Sequence, residues 1–152
     1  MSESALRPGE VTVELPPQTD AGIYFIGAIR TPWKTRWECP KRGSADGPIC
    51  TLVIDQLWRE ALTGIAGHKR IQVLYWMHQA RRDLALQTPF GKETTGTFAL
   101  RSRMRPNPIA SSIVELLAID GTNVQVRGLD CLDCLDGTPL IDLKPEHGAT
   151  RG

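Results

Sequence analysis

Residues 96–117 read G-T-F-A-L-R-S-R-M-R-P-N-P-I-A-S-S-I-V-E-L-L, and this stretch sets the expectations for the whole chain. Pro106 and Pro108 have a fixed φ and no amide hydrogen, and each biases the residue before it towards extended backbone. The R-P-N-P centre therefore cannot be a helix interior or a central strand. Because apolar, strand-like residues flank it on both sides, we predict an irregular loop between two strands, with backbone carbonyls free to hydrogen-bond another group.

Three arginines precede the two prolines. Arg101, Arg103 and Arg105 alternate with Ser102 and Met104, so an extended backbone would direct all three guanidinium groups to one side. Planar, permanent cations suit an anionic or nucleic-acid partner. A solvated surface loop is the other interpretation of the same residues, and the pattern alone does not separate the two.

Length and composition indicate a single small domain. The 152 residues carry 23% charged side chains and a net charge of +1, so any nucleic-acid contact must come from a local patch. No apolar run approaches the ~20 residues of a membrane span, and the N-terminus has no signal-peptide core. We therefore expect a cytoplasmic protein with no membrane contact, comprising an arm (1–20), one domain (21–147) and a tail (148–152).

Short apolar segments separated by Gly and Pro predict a mainly β fold, a compact antiparallel β-barrel-like single domain with one or two short helices. The helical candidates are residues 55–63, which Asp55 could cap, and residues 79–86. Asp120-Gly121 marks a hairpin. The strand candidates are residues 23–30, 49–54, 71–77, 95–101, 112–119, 124–129 and 140–143, with a possible edge strand at 11–15.

The four cysteines, Cys39, Cys50, Cys131 and Cys134, are too few for a disulfide scaffold. Cys131 and Cys134 form a C-x-x-C that could be half of a zinc site. Structural zinc usually shows a second tight pair, whereas Cys39 and Cys50 lie eleven residues apart. We therefore predict no metal site.

The sequence at 96–109 resembles the signature of the TrmO family, also called TsaA-like or YaeB-like, which is written G-x-F-A-T-R-S-x-x-R-P-N-P-I-G. Three more blocks match in order, namely I-G-A-I-R-T-P-W-K at 26–34, M-H-Q at 77–79 and L-D-G-T-P-L-I-D-L-K-P at 135–145. The resemblance implies a β-barrel domain that binds S-adenosyl-L-methionine and methylates N6 of threonylcarbamoyladenosine beside the tRNA anticodon. It also implies a homodimer with the cofactor near the interface.

The resemblance further implies which residues contact the cofactor. The family's P-R-Q block falls on Pro40 to Arg42 with two departures, and Leu100 replaces the threonine of its T-R-S block. The family's G-x-L-D can be laid on Gly128 to Asp130 or on Asp130 to Asp133, and counting back from Asp136-Gly137 favours the second. The implied cofactor-binding residues are Pro40, Lys41, Arg42, His78, Gln79, Arg101, Ser111, Asp130, Cys131, Leu132 and Asp133.

No catalytic side chain is named, because methyl transfer from a sulfonium mainly requires alignment. Arg103 and Arg105 are the candidates for tRNA contacts. The sequence ends soon after L-K-P, where longer bacterial members continue into a C-terminal domain, so we expect a short form of the family. An S-adenosyl-L-methionine-binding protein without turnover is therefore the alternative function.

Overall fold

The structure is a computed structural model that describes residues 5–32, 47–129 and 135–146. These ranges contain nine β-strands and three 3₁₀ helices. In chain order they are β1 Val11–Thr12, β2 Gly27–Arg30, β3 Ile49–Ile54, η1 Gln56–Leu62, η2 Ile65–Gly67, β4 Arg70–Trp76, β5 Leu84–Gln87, β6 Thr95–Gly96, η3 Thr97–Ala99, β7 Ile109–Asp120, β8 Asn123–Arg127 and β9 Thr138–Pro145. No helix in the described ranges is long and apolar enough to cross a membrane.

Six of the strands close into a barrel in the order β2-β3-β8-β7-β4-β9, and every neighbouring pair is antiparallel. Side chains alternate between the two faces of each strand, so every second residue enters the core. In β4, for example, Ile71, Val73 and Tyr75 are fully buried. The predicted mainly β, antiparallel barrel is confirmed.

The predicted hairpin joins β7 to β8. Asp120 pairs with Asn123, which leaves Gly121 and Thr122 as a two-residue loop. Gly121 has a φ of 62°, a backbone conformation that glycine adopts without a steric penalty. The Asp-Gly signal therefore located the turn, whereas the predicted strand limits at 119 and 124 implied a longer loop than the one that forms.

The chain packs as two compact units. The barrel unit comprises residues 23–77 and 109–152, and the sheet unit comprises residues 1–22 and 78–108. The sheet unit contains the three-stranded sheet β1-β5-β6, in which Val11 pairs with Leu86 and Gln87 pairs with Thr95. Part of the possible edge strand at 11–15 thus forms as β1. The arm, domain and tail limits stay a prediction.

Two local predictions were wrong, and a third was right in position but not in detail. The helical candidate at 79–86 instead contains β5, because its backbone pairs with strands on both sides. The strand predicted at 95–101 ends at Gly96, where the chain turns into η3. The predicted helix at 55–63 forms as 3₁₀ helix η1, without a cap from the Asp55 side chain and with Leu57 81% exposed.

Candidate functional site

Residues 97–107, here called the arginine loop, connect the short strand β6 to the segment that leads into β7. The side chain of Gln87 is buried, with 3% of its surface exposed, and it holds this loop through hydrogen bonds. Its Nε2 donates to Thr97 Oγ1 at 2.9 Å and to the Met104 carbonyl at 2.6 Å, and Thr97 Oγ1 donates to the Leu84 carbonyl at 2.6 Å. The beginning and the middle of the loop are therefore both tied to β5.

Two arginines donate hydrogen bonds to three further carbonyls of the loop. Arg105 Nη1 donates to the carbonyls of Leu100 and Ser102, each at 2.9 Å. Arg82 Nε donates to the Pro106 carbonyl at 2.6 Å, and its Nη2 donates to Asn107 Oδ1 at 3.3 Å. The Pro106 carbonyl lies in the R-P-N-P centre, whose carbonyls were predicted to hydrogen-bond another group, and Arg82 supplies that group.

The prediction that the arginines share one side of an extended chain was wrong. The backbone bends at residues 103 and 105–107, and Arg105 folds back onto the loop. Arg101 is exposed, whereas Arg103 and Arg105 are half-buried. The bends follow from the two prolines and from the hydrogen bonds of Arg105, which require a compact loop.

His78, Gln79 and Arg101 are exposed residues of the sheet unit. Within the described part of the chain, none of these three side chains has a hydrogen-bonding partner. An imidazole, an amide and a guanidinium are therefore available to a ligand. His78 and Gln79 directly follow Met77, the buried residue just after the end of β4. The packing of Met77 therefore fixes where their backbone starts.

Ser111 lies in the barrel unit, on β7, where its Oγ accepts a hydrogen bond from Gln72 Nε2 at 2.8 Å. This bond links β4 to β7. The role of Ser111 in cofactor binding stays a prediction. The remaining predicted cofactor residues lie outside the described ranges; they are Pro40, Lys41, Arg42, Asp130, Cys131, Leu132 and Asp133.

Cys50 is the one candidate zinc ligand in the described ranges, and it is a buried barrel residue whose thiol donates to the Pro48 carbonyl at 3.9 Å. Among the described residues, no group of three or more His, Cys, Asp and Glu side chains is placed to hold a metal ion.

A cavity of about 430 Å³ lies in the barrel unit, between the η1–η2 segment and the end of β9. Trp58, Leu62, His68 and Lys144 are among its lining residues. None of the predicted site residues in the described ranges lines it, so we place the candidate site at the arginine loop, where matched motif residues coincide with side chains that have no partner among the described residues.

Positive charge is concentrated in the segment 78–108 of the sheet unit, whereas residues 1–22 of the same unit carry four acidic side chains and one basic one. Residues 78–108 contain six Lys and Arg side chains and two acidic ones, although the net charge of the whole protein is only +1. One of the two acids, Asp83, is paired with Arg81 at 2.7 and 3.0 Å. The hydrogen bond from Arg81 holds the pKa of Asp83 below its ordinary value of 3.8, so this carboxylate stays charged and paired.

Local patterns did not identify the residues that hold the loop. Gln87 ends the apolar run L-A-L-Q, and Arg82 belongs to the polar R-R-D segment, and neither lies in a matched motif. The only available signal was a lone amide at a strand end. A polar group buried there must find hydrogen-bonding partners, but the sequence could not identify them.

A closed antiparallel barrel unit, and a sheet unit that presents an internally braced, arginine-rich loop, define a β domain suited to a polar or anionic ligand. The chain belongs to the family of the tRNA-methyltransferase O N-terminal domain, whose family model matches residues 28–148. The predicted family is thereby confirmed.

Relatives and solved structures agree with this assignment. The chain is 46% identical to the probable S-adenosyl-L-methionine-binding protein VirR of Rhizobium radiobacter, over 99% of this chain and 85% of that protein. It is 32% identical to the tRNA (adenine(37)-N6)-methyltransferase of Escherichia coli, over 79% of this chain and 55% of that enzyme. A crystal structure of TrmO superimposes with a TM-score of 0.68 at 27% identity, covering 89% of this chain and 61% of that one. The chain thus spans little more than half the length of the named tRNA methyltransferase.

Proposed function

We propose that this protein is an S-adenosyl-L-methionine-dependent methyltransferase that acts on N6 of threonylcarbamoyladenosine beside the tRNA anticodon. The observation that carries the proposal is the family's arginine motif, which forms a braced loop with the Arg101 side chain exposed and free of partners in the described ranges. The Escherichia coli relative, named for methylation of adenine 37 in tRNA, supports the choice of substrate.

S-adenosyl-L-methionine is the cofactor of this family, and it is also the ligand in the name of the Rhizobium radiobacter relative. It supplies a methyl group activated by a sulfonium. The available side chains fit its chemistry, because the Arg101 guanidinium suits a carboxylate and the Gln79 amide and His78 imidazole suit a purine or an amino-acid group. We propose that His78, Gln79, Arg101 and Ser111 hold it together with the predicted residues outside the described ranges.

Alignment is the chief task of the protein in such a transfer, since the methyl donor is already activated. Binding groups must then be held by residues that are themselves fixed. Gln87, Arg82 and Arg105 provide this support for the arginine loop through the hydrogen bonds described above. Arg101 can therefore bind a ligand without a large loss of backbone entropy.

The tRNA contacts are proposed for Arg103 and Arg105, next to Arg101 on the same loop. Phosphate binding depends on local positive charge, and residues 78–108 supply it. Arg105 uses one nitrogen, Nη1, for both loop carbonyls, which leaves its other nitrogens for a second contact. We also propose a homodimer with the cofactor near its interface, which sedimentation with and without S-adenosyl-L-methionine would test.

Incubation with radiolabelled S-adenosyl-L-methionine and total tRNA tests the proposal. With tRNA from a strain lacking this methylation, we expect label in N6-methylated threonylcarbamoyladenosine, identified by mass spectrometry of the nucleosides. Fully modified tRNA is the control and should accept no label. Tight cofactor binding without any transfer would favour the alternative, a binding protein without turnover, which is consistent with the name of the Rhizobium radiobacter relative.

A further inference from the structure

Phe98 is a large aromatic side chain that the sheet unit leaves in solvent. It is 82% exposed and lies on η3, directly after buried Thr97. Single exposed apolar residues are common and need no explanation by themselves. Phe98 differs from such residues because its backbone is rigidly held and because basic residues follow it closely in the sequence.

The backbone on both sides of Phe98 is fixed. Thr97 Oγ1 donates to the Leu84 carbonyl and accepts from Gln87 Nε2, and the Leu100 amide donates to the Thr97 carbonyl at 3.2 Å. Only the two side-chain torsions of the ring remain to be ordered when it meets a ligand. An aromatic ring held in this way offers a large flat contact at low entropic cost.

Cationic side chains follow the ring closely. Arg101 and Arg103 come three and five residues after Phe98, within a segment that carries six basic and two acidic side chains. Asp83 and Arg81 form an ion pair, which cancels one charge of each sign and leaves five basic side chains and one acidic one in the segment. An exposed ring beside positive charge matches the two parts of a single-stranded nucleic acid, flat base faces and phosphates.

We infer that Phe98 is a stacking platform for an unpaired nucleobase of the RNA substrate, an inference that rests on the proposed function for the nature of that substrate. Stacking on a ring requires an open base face, which the interior of a duplex does not offer. The ring therefore selects RNA loops over paired stems, while Arg103 and Arg105 bind phosphates in either.

Fluorescence anisotropy with two synthetic RNAs tests this inference. The first is a hairpin with a seven-nucleotide loop, and the second is a blunt duplex with the same number of phosphates. Phe98→Ala should weaken hairpin binding by about 5- to 150-fold, the range for loss of one stacked base, and should change duplex binding by less than about twofold. Phe98→Trp should restore hairpin binding to within about threefold. Phe90→Ala is the matched control, because Phe90 is 92% exposed in the same unit, and it should change neither affinity.

Cofactor titration and sedimentation of Phe98→Ala complete the experiment, and both should match wild type. Equal hairpin affinity in Phe98→Ala and wild type would overturn the inference. A loss of cofactor affinity, or a shift to a smaller oligomer, would also overturn it, because the ring would then contact the cofactor or a second copy of the chain.

Methyl transfer to tRNA tests the proposed function separately. Transfer by wild type with unchanged RNA affinity in Phe98→Ala rejects the inference alone, whereas RNA binding that needs Phe98 without any transfer rejects the function alone.

Discussion

Gln87 and Met104 are 17 residues apart in the sequence, yet Gln87 Nε2 donates to the Met104 carbonyl at 2.6 Å. The same nitrogen also donates to Thr97 Oγ1. One buried amide therefore closes the arginine loop at two points, and the geometry of the candidate site depends on a residue outside every matched motif.

Removing this amide should loosen the loop. Gln87→Leu leaves the Met104 carbonyl and the Thr97 hydroxyl without their donor, at an expected cost of about 1–3 kcal/mol in the free energy of unfolding. Denaturant titration measures the change. Gln125→Leu is the control, because Gln125 is exposed on β8, and it should cost less than about 0.5 kcal/mol. Equal effects of the two substitutions would show that the amide does not brace the loop.

Arg101 and Arg105 should separate binding from stability. Arg101→Ala removes an exposed side chain, so thermal stability should stay unchanged while cofactor affinity falls about 10- to 150-fold, the range for a lost charge-assisted hydrogen bond. Arg105→Ala strips donors from the Leu100 and Ser102 carbonyls and should lower the melting temperature. Calorimetric titration and thermal denaturation give the two readouts. The reverse pattern would contradict the assignment.

Arg103 and Arg105 should contribute to the salt dependence of tRNA binding. Each phosphate contact releases counterions, so the slope of log affinity against log salt should shrink by about 0.7 to 0.9 per contact removed. Arg103→Ala tests one contact, and the double variant with Arg105→Ala tests both. Cofactor affinity of Arg103→Ala should stay within about threefold of wild type. An unchanged slope in the double variant would mean that neither arginine binds phosphate.

Gly27 should tolerate no side chain. It pairs with Ile54, and a Cβ at this position would collide with the Val53 carbonyl oxygen. Gly27→Ala must push β2 away from β3, at an expected cost of about 1–3 kcal/mol for an overpacked site. Gly22→Ala is the matched control, because nothing lies within 4 Å of a Cβ there. Thermal unfolding measures the stability of both variants, and equal melting temperatures would refute the close approach of Gly27 to the Val53 carbonyl.

Asp83 should stabilise the protein in a defined pH range. Its pKa in the folded state lies below 3.8, because of the hydrogen bond from Arg81. A lowered pKa contributes stability that is fully present above the unfolded value of 3.8 and is lost as the pH falls through the folded pKa. Arg81→Ala should raise the pKa of Asp83, measured by carboxyl NMR titration. An unchanged value would show that the pair does not form in solution.

Local patterns in the sequence predicted much of the barrel. The strand at 49–54 matched β3 residue for residue, because a short apolar run of this length is typical of a buried strand. Asp120-Gly121 located the β7–β8 hairpin, since that turn uses backbone conformations that few residues adopt. The prolines excluded regular structure at 106–108 through covalent geometry alone. In each case the information lies within a few consecutive residues.

Tertiary structure decided what depends on partners far away in the chain. The segment L-A-L-Q has good helix formers, yet it becomes β5 because β1, more than seventy residues earlier, supplies an edge for it to pair with. Leu57 is exposed because no element of the described ranges covers the face of η1 on which it lies. The arginine loop takes its shape from Gln87, Arg82 and Arg105, whose hydrogen-bonding partners no local pattern identifies. The sequence alone thus determined the family, the motif and the strands of the barrel. The packed chain determined which motif side chains are braced within the loop and which have no partner among the described residues, because burial and hydrogen bonding depend on residues brought together only by folding.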